Sequence, residues 1–464
     1  MGDTPEAPVR LQGFGPKDVY QRRERILTRY VGGFFQRLRF FSGWPLLTGY
    51  FLLPWIHWGG QPIVWFDLPG RQAHILNITF FQQDLWLLSG FFFVAAFALF
   101  TLTSAVGRLW CGYTCPQTVW CAIYQWAEQI TEGPRQQRMR LSQAPWSAAK
   151  IRQKTLKHAL WIGWAGLTGV TFVGYFTDIR LLAGDLATLQ TSGWTAFWVA
   201  LFTAATYFNA GWLRERVCTT VCLYGRAQSA MLHNDTLIVA YDPGRGEPRG
   251  TRTPGDDKTG LGDCIDCELC VQVCPVGIDI RDGLQYECIG CAHCIDACAE
   301  VMNVMAYPPG LIRYTSQNEL TGIPAQRFGG RSALYTGALL VIFALLAFTA
   351  FTRVPFAVEV QREPGEPYRR TAEGLVTNHY HLRVLNKSQA TASYQLSVYS
   401  ALPLEILSAR NIVVAAGETA DLSLTVQATP ESIVLPNAQV SVELCAEATD
   451  VCVTEPTSFV GPLR

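Results

Sequence analysis

The stretch CIDCELCVQVCP, residues 264–275, is followed shortly by CIGCAHCIDAC, residues 288–298. Each run spaces three cysteines as C-x-x-C-x-x-C and adds a fourth cysteine four residues later. In bacterial proteins with this pattern, the fourth cysteine of each run ligates the cluster of the other run. The spacing therefore predicts two 4Fe–4S clusters. The predicted ligand sets are Cys264, Cys267, Cys270 and Cys298 for one cluster, and Cys288, Cys291, Cys294 and Cys274 for the other.

Two other uses of these cysteines are less consistent with the spacing. Structural zinc takes four ligands in two separated pairs, whereas these cysteines form tandem triplets with single followers. Disulfides require an oxidising compartment, which the predicted topology below does not give this segment. Pro275 follows the first run as the cluster pattern requires, whereas Ala299 stands at the corresponding position of the second. The sequence thus predicts that the chain handles electrons.

The composition disfavours an ordinary soluble enzyme. The chain has 464 residues, of which 49% are hydrophobic and 16% are charged, and it contains 14 Trp and 25 Phe. Such an apolar chain predicts a membrane protein that carries soluble parts. Its formal net charge is zero, so no overall field favours nucleic acid or acidic partners.

Five apolar stretches are long enough to cross a bilayer as helices. They run from about Phe40 to Trp58, Leu85 to Val106, Ala159 to Phe176, Gly193 to Leu213, and Ser332 to Thr352. The first contains Pro45 and Pro54, so we expect either a kinked span or a re-entrant or interfacial segment there. Residues 1–39 are charged throughout and lack the apolar core of a signal peptide, so no cleavable signal is predicted.

Lysine and arginine alternate between the loops that join these stretches. Residues 1–39 and 107–158 carry eight each, whereas residues 59–84 and 177–192 carry only Arg71 and Arg180. Because positive loops stay in the cytoplasm, this alternation places the N-terminus there. Five spans then put the cysteine runs in the cytoplasm and the chain after Thr352 outside. In a bacterium this predicts a multi-pass inner-membrane protein with a periplasmic C-terminal domain.

The tail after the last apolar stretch changes character. HYHLRVLN from His379, SYQLSVYS from Ser393, ADLSLTVQA from Ala420 and AQVSVELCA from Ala438 alternate with period two. This pattern predicts an antiparallel sandwich of immunoglobulin size, although the antibody Cys–Trp–Cys spacing is absent. The tail's only cysteines, Cys445 and Cys452, are compatible with a disulfide or with two buried free thiols.

The predicted fold class is therefore an α-helical polytopic membrane protein with five spans, a bacterial two-cluster ferredoxin domain and a C-terminal immunoglobulin-like β-sandwich. Its predicted parts are a cytoplasmic basic N-terminus (1–39), four transmembrane helices with cysteine motifs at the cytoplasmic face (40–240), a linker (241–261), the ferredoxin domain (262–308), a linker (309–331), the fifth transmembrane helix (332–352) and the periplasmic domain (353–464).

A second group of cysteines follows the second and fourth apolar stretches. Cys111 and Cys115 lie in RLWCGYTCPQ, and Cys218 and Cys222 lie in RERVCTTVCLYG. We call these four the membrane-motif cysteines. A spacing of four predicts that the sulfurs of each pair share one side of a helix. The nearby Arg108, Arg214 and Arg216 are expected to lower the thiol pKa values. Two pairs in register favour a soft-metal or redox site over simple packing of small side chains at helix ends.

Other candidates carry less signal. Cys121 has no partner in this second group. His57, and the pair His379 and His381, could serve as metal ligands, but an interfacial position and a solvent-facing strand are the favoured interpretations. His158, His233 and His293 receive no role.

Together these features resemble a family of cytochrome c oxidase accessory proteins known as CcoG, FixG or RdxA. The resemblance covers the basic N-terminus, the spans, CGYTCP at residues 111–116, CTTVC at residues 218–222, the cluster runs and the tail. The membrane motif is also similar to that of the NapH and NosR membrane ferredoxins, which pass electrons between quinol and periplasmic partners. Leu223 stands where that wider pattern has proline.

The resemblance implies a cupric reductase that makes copper(I) for the haem–copper site of cbb-type oxidases. Its implied partners are a cytoplasmic electron donor, copper ions, and oxidase subunits or copper chaperones and transporters. The cysteine spacing itself predicts clusters and soft-ligand thiols and does not show copper. Two alternatives remain open: a quinol-linked electron conduit, and a non-enzymatic assembly scaffold or copper chaperone.

Overall fold

The computed structural model describes residues 26–58, 61–76, 78–256, 260–326, 328–388, 390–433, 436–449 and 451–462. Most of the basic N-terminal segment that set the predicted orientation therefore lies outside the described residues. The chain divides into two compact units. One comprises Met1–Leu68 and Leu88–Ala344, and the other comprises Pro69–Leu87 and Leu345–Arg464.

Helices account for most of the first unit and for the segments that lead into the second. The α-helices are Phe34–Leu52, Leu85–Val106, Leu109–Tyr113, Pro116–Glu132, Arg135–Gln143, Ala148–Val173, Ile179–Ala187, Gly193–Thr206, Leu223–Met231, Pro243–Gly246, Leu269–Gln272, His293–Val304, Gln317–Leu320 and Gly330–Phe351. Two π-helical segments, Tyr207–Leu213 and Val217–Val221, continue the chain after Thr206.

Each apolar stretch expected to cross a membrane lies wholly or largely on helical residues, but the helices differ in character. Among the described residues, two are long and apolar enough to cross a membrane: Leu85–Val106 and Gly330–Phe351. Their most apolar windows are only 6% and 0% buried, unlike the core helix of a soluble protein. The other three include charged residues or are interrupted, as at the π-helical segment after Thr206. Five membrane spans therefore remain a prediction.

The segments expected to be linkers around the cysteine runs carry ordered structure. Strands Ile238–Tyr241 and Ile312–Thr315 pair antiparallel, so they bring both ends of the cysteine-rich region together. Side chains hold residues 242–256 against the cysteine-rich region: Arg245 pairs with Asp263, and Nε of Arg252 donates to the Tyr307 hydroxyl at 3.0 Å. A segment rich in Pro, Gly, Arg and Asp lacks an apolar core of its own, but its charged groups find partners on the neighbouring domain. It does not behave as a free linker.

The second unit contains an antiparallel β-sandwich. The strands of one sheet run in the order Glu405–Ile406, Thr419–Ala428, Val376–Asn386 and Phe356–Arg362, with Arg369–Arg370 paired beside Val376–Asn386. Those of the other sheet run in the order Asn411–Val414, Ala392–Ser400, Asn437–Ala446 and Cys452–Val460. Alternate residues of the two sheets meet in one buried core that includes Tyr380, Leu396, Val442 and Phe459. The predicted immunoglobulin-like architecture is confirmed.

The open question about the tail's cysteines is resolved by the strand pairing. Cys445 and Cys452 lie directly opposite each other on neighbouring antiparallel strands. Their sulfurs form a disulfide bond. The bridge therefore joins the last two strands of the sandwich across the hairpin between them.

Candidate metal centres

The eight cysteines of the two runs separate into two groups around two cavities. Side chains of the first sulfur set line one cavity; the set comprises Cys264, Cys267, Cys270 and Cys298. Those of the second sulfur set line the other; that set comprises Cys274, Cys288, Cys291 and Cys294. Cys270 also borders the second cavity. The structure thus places four cysteines around each cavity, and in each group the fourth cysteine comes from the other run.

The local backbone explains how three closely spaced cysteines turn toward one centre. Glu268 and Ala292, which follow the second cysteine of each run, both adopt left-handed conformation, with φ of 56° and 60°. Each is the N-cap of the short helix that carries the third cysteine. A left-handed residue without glycine's freedom costs about 1–2 kcal/mol, so its presence at equivalent positions indicates a geometry imposed by the site. The two runs form a local repeat.

The chemistry of these donors matches iron–sulfur ligation. Burial raises the pKa of Cys270, Cys274 and Cys298 to about 12 each. Free thiols here are therefore protonated at neutral pH, and metal binding must displace their protons. Four sulfur donors around each of two enclosed, largely apolar cavities are the donor sets that hold such clusters. Of the eight, Cys267 is exposed, so the first set reaches the surface.

The membrane-motif cysteines lie at helix starts and not along one helix. Cys115 is the N-cap of Pro116–Glu132, and Cys111 lies on the preceding one-turn helix. Cys222 is the N-cap of Leu223–Met231, and Cys218 lies on the preceding π-helical segment. The prediction that each pair shares one side of a helix is therefore wrong. Pro116 explains the first break, because the residue before a proline avoids the helical region.

The second motif reaches the same backbone without proline. Cys115 has φ −59° and ψ 128°, and Cys222 has φ −67° and ψ 108°. Leu223, which stands where the wider pattern has proline, therefore does not alter the local geometry. The two motifs are structurally equivalent halves.

These two halves converge on each other. The thiol of Cys218 interacts electrostatically with those of Cys111, Cys115 and Cys222. Burial raises the pKa of Cys111 to about 11 and that of Cys218 to about 12, with the neighbouring thiols adding to the effect. Arg108 lowers the pKa of Cys111, as expected, but burial has the larger effect and raises the pKa overall. The structure thus brings four thiols together at a partly buried site.

The arginines near these thiols hold the backbone in place. Nη1 of Arg108 donates to the carbonyl of Cys288 at 3.0 Å. Its Nη2 donates to the carbonyl of Gly225 at 3.1 Å and to the hydroxyl of Ser229 at 2.8 Å. Arg214 instead forms an ion pair with the buried Glu128 at 2.7 Å. Arg108 therefore connects one membrane motif, the helix after the other motif, and the loop of the second sulfur set.

The second sulfur set directly adjoins the membrane motifs. Cys111 and Cys218 pack against the same buried cluster as Cys274 and Cys288. That cluster comprises Val276, Ile278, Ile289 and Cys291. The backbones also touch, since a Cβ added to Gly112 would lie 2.6 Å from the carbonyl oxygen of Gly290. The membrane-motif thiols and the second sulfur set therefore share one apolar cluster.

A polar contact that local sequence did not reveal fixes the first long helix to this region. The carboxylate of Asp296 accepts from the backbone N–H of Phe35 at 3.2 Å and of Gln36 at 2.8 Å. It satisfies donors that a helix start leaves unpaired. A Cβ at Gly33 would lie 2.2 Å from Cγ of Asp296, so the approach needs glycine there. No local motif could signal a cap supplied from 260 residues away in the chain.

His293 is a second residue that sequence reasoning left without a role. Its Nε2 contacts the Gln36 amide oxygen at 2.7 Å, and the guanidinium of Arg39 lies against the same ring. Burial and the neighbouring Arg39 lower the pKa of His293 to about 3, so the ring is neutral. The first long helix is thus bound to the second cysteine run at two points.

The other histidine candidates have ordinary partners. Nε2 of His57 lies 3.7 Å from the Asp178 carboxylate. Nδ1 of His379 lies 3.0 Å from the Thr425 hydroxyl. Nδ1 of His158 lies 2.9 Å from the Tyr207 hydroxyl. The structure gives them structural contacts and does not group them with other metal ligands in the part of the chain it describes.

Comparison with known proteins agrees with both domains. Residues 213–317 match a "4Fe-4S dicluster domain", and residues 346–462 match an "IG-like fold at C-terminal of FixG". These matches define a 4Fe–4S dicluster electron-transfer protein with an immunoglobulin-like C-terminal domain.

Similar proteins of known sequence identify the family within this class. The chain is 36% identical to Protein RdxA of Cereibacter sphaeroides over 82% of this chain and 83% of that one. It is likewise 36% identical to Protein RdxB of the same organism, over 86% and 88%. Nitrogen fixation protein FixG of Rhizobium meliloti is 40% identical over 68% of this chain and 62% of its own length, so the match spans less than two thirds of that relative. The chain belongs to the FixG family, as its motifs predicted.

Comparison with solved structures also found a FixG-related match. The crystal structure of a FixG-related protein from Vibrio parahaemolyticus matches 24% of this chain and all of that one, at 22% identity and a TM-score of 0.23. That score is too low for the likeness to support an argument of its own.

Proposed function

We propose that this protein is a membrane-bound iron–sulfur electron-transfer protein that reduces copper(II) to copper(I) for assembly of cbb-type cytochrome c oxidase. The observation that supports it most directly is the packing of Cys111 and Cys218 on the apolar shell of the second sulfur set. A site that delivers electrons and a set of soft-metal ligands are thereby neighbours. The copper substrate and the oxidase role come from the family resemblance.

The proposed cluster ligands are the two sulfur sets. The first set, Cys264, Cys267, Cys270 and Cys298, would hold one 4Fe–4S cluster, and the second set, Cys288, Cys291, Cys294 and Cys274, would hold the other. Bound there, such clusters supply reversible one-electron storage. The exposed Cys267 marks the side on which a cytoplasmic electron donor can approach. Arg108 and the contact between Gly112 and Gly290 keep the second set against the membrane motifs.

The membrane-motif cysteines are the proposed catalytic residues. Copper(II) gains one electron and becomes copper(I), and soft thiolate ligands favour copper(I). The buried thiols must lose protons to act as ligands. The amide oxygen of Gln228 accepts from Sγ of Cys111 at 3.3 Å, so it is placed to orient that thiol.

The proposed setting is a bacterial inner membrane crossed five times, with the domain boundaries given by the sequence. The alternation of positive loops and two strongly apolar, exposed helices support membrane insertion. A disulfide in the tail suits an oxidising compartment, whereas the cysteine runs suit a reducing one. These observations support a cytoplasmic dicluster domain and a periplasmic immunoglobulin-like domain.

Replacing Cys111 and Cys115 with serine tests the copper assignment. The full-length variant should lose copper(II) reduction by at least tenfold, because two of the four soft ligands are gone. Electron paramagnetic resonance of the reduced protein should still show both dicluster signals, since neither sulfur set is changed. Cys121→Ser is the matched control, because this buried cysteine belongs to neither motif pair. Unchanged copper reduction in the double variant would contradict the assignment, as would oxidation of quinol by a protein that reduces no copper.

A further inference from the structure

The spacing of the membrane-motif thiols indicates what kind of centre they could hold. Among the described residues, three potential ligand atoms lie within 4.8 Å of one another only at Glu443, Cys445 and Cys452. Both cysteines of that group are joined in a disulfide, so the group is not a metal site. No three of the membrane-motif sulfurs therefore come that close within the described part of the chain. A single ion bound by three thiolates at about 2.3 Å holds the sulfurs within about 4 Å of one another.

The two sulfur sets of the dicluster domain show the same property. Neither contains three sulfurs within 4.8 Å, although each surrounds one cavity in the described structure. Thiolates that bind different iron atoms of a cluster lie farther apart than thiolates that share one ion, so this separation agrees with cluster ligation. The membrane-motif thiols share it: Cys218 interacts electrostatically with the other three, and no three of the four sulfurs lie close enough to bind one ion together.

Backbone N–H groups surround these sulfurs from two sides. The N–H of Gly225 donates to Sγ of Cys222 at 3.4 Å. The backbone N–H groups of Gln117 and Thr118 lie near the sulfur of Cys115. Both sulfurs stand at the positive end of a helix, Leu223–Met231 and Pro116–Glu132 respectively. Such donors stabilise the negative charge of an anionic thiolate cluster, and hydrogen bonds to the sulfurs help to set its potential.

The surroundings also suit a redox cofactor. A layer of side chains that includes Ile278 and Ile289 packs against Cys111 and Cys218 and also against Cys274 and Cys288 of the second sulfur set. This layer is apolar, so it excludes water from the space between the two sites. The arrangement is a short step for an electron leaving the second set.

We propose that Cys111, Cys115, Cys218 and Cys222 jointly ligate a third iron–sulfur cluster, with each structurally equivalent motif supplying one pair of ligands. This inference rests on the proposed function, because it makes the four thiols the last electron carrier before copper. It also refines that function: the four thiols reduce copper(II) through the cluster that they hold, in place of binding copper directly.

Iron and acid-labile sulfide analysis of full-length, anaerobically purified protein tests this inference. Two cubanes contribute about eight iron atoms per chain, so a third cluster raises the iron content clearly above about eight. The variant Cys218→Ser/Cys222→Ser should return to about eight while keeping the dicluster resonance signals. Cys121→Ser, the matched control, should keep the wild-type iron content. The single variant Cys111→Ser provides a second, milder perturbation should the double variant fold poorly, and it should also lower the iron content.

The outcomes separate this inference from the proposed function. A wild-type iron content of about eight overturns the third cluster even where copper(II) is reduced normally. One copper or zinc ion per chain that disappears in Cys218→Ser/Cys222→Ser also overturns it. An excess of iron that depends on these cysteines, in a protein that does not reduce copper(II), supports the cluster and rejects the cupric reductase.

Discussion

Glu132 is a buried carboxylate shared by two lysines. Its Oε1 lies 2.8 Å from Nζ of both Lys154 and Lys157, and the Lys157 side chain is only 2% exposed. Burial would raise the pKa of Glu132, but hydrogen bonds and charge from the two lysines lower it overall. The ion pairs of Glu132 with these lysines connect the helix Pro116–Glu132 with the long helix Ala148–Val173. Removing the carboxylate would leave a buried lysine without its counter-charge.

We therefore expect Glu132→Gln to destabilise the protein by about 3–5 kcal/mol at neutral pH. Thermal unfolding in detergent measures this as a lower Tm. Because the folded-state pKa is lowered, the contribution of ionised Glu132 is complete above its ordinary value of 4.5 and is lost as pH falls through the lowered value. The difference in Tm between wild type and variant should therefore narrow in acid.

Arg249→Gln is the control for this prediction. Arg249 lies 3.8 Å from Glu247 in a pair that is more than one third exposed on each side. Such a pair contributes about 0–1 kcal/mol. A loss for Glu132→Gln no larger than for Arg249→Gln would show that the shared carboxylate is not a structural anchor.

The spacing of the cysteines was enough to predict the two sulfur sets, because the three cysteines of a C-x-x-C-x-x-C run can surround only a nearby centre. It could not predict the helix cap supplied by Asp296 or the hydrogen bonds made by Arg108. Asp296 and Arg108 act on backbone groups distant in the chain, and only tertiary packing reveals them. Burial also outweighs the effect of Arg108 on the pKa of Cys111. The sequence could not predict this, because the burial of a thiol depends on residues that are distant in the chain.

Elements meet most closely where the first membrane motif touches the loop of the second sulfur set. Gly112 lies on the one-turn helix Leu109–Tyr113, and an added Cβ would lie 2.6 Å from the Gly290 carbonyl oxygen and 3.2 Å from Cα of Cys291. Both neighbours are backbone atoms that cannot rotate away. The glycine therefore permits the short separation on which the proposed electron transfer across this junction depends.

Gly112→Ala should consequently push the motif and the loop apart. We expect copper(II) reduction to fall by about tenfold or more, as small displacements of reacting groups can do. Iron content and resonance signals should stay near wild type. Gly163→Ala is the matched control, because a Cβ at Gly163 meets nothing within 4 Å. Equal rates in the two variants would remove the junction from the electron path.

The helical elements were predicted more securely than their boundaries. The apolar stretch from Leu85 to Val106 coincides with one helix because nothing within it interrupts the pattern. The stretch from Phe40 to Trp58 instead ends its helix at Leu52, before Pro54 and a short strand. The helix break between Cys111 and Pro116 was missed because a spacing of four suggested a continuous helix, although Pro116 already favours an interruption there.

At the scale of the whole molecule, the proposed topology places the N-terminus in the cytoplasm and the C-terminal domain in the periplasm. The disulfide between Cys445 and Cys452 provides a label for the outer side. In spheroplasts, an impermeant reductant followed by an impermeant maleimide should modify these two cysteines and spare the cysteine runs. In inverted vesicles they should stay unmodified.

Cys445→Ser/Cys452→Ser is the control that identifies the labelled residues, and it should abolish labelling in spheroplasts. Loss of the bridge should also destabilise the sandwich by about 2–3 kcal/mol, because the closed hairpin loop is short. Labelling of the pair only in inverted vesicles would reverse the proposed topology.

The central claim, that electrons held by the dicluster domain reach copper through the membrane motifs, is most directly tested by a single-turnover experiment. Full-length protein is reduced anaerobically, freed of excess reductant and mixed with copper(II) and a copper(I)-specific chelator, while visible absorbance is followed. We predict that cluster absorbance recovers as copper(I) appears, with one electron lost for each copper(I) formed. Clusters that stay reduced in the presence of copper(II) would contradict the claim, as would an unaltered rate in Cys111→Ser/Cys115→Ser.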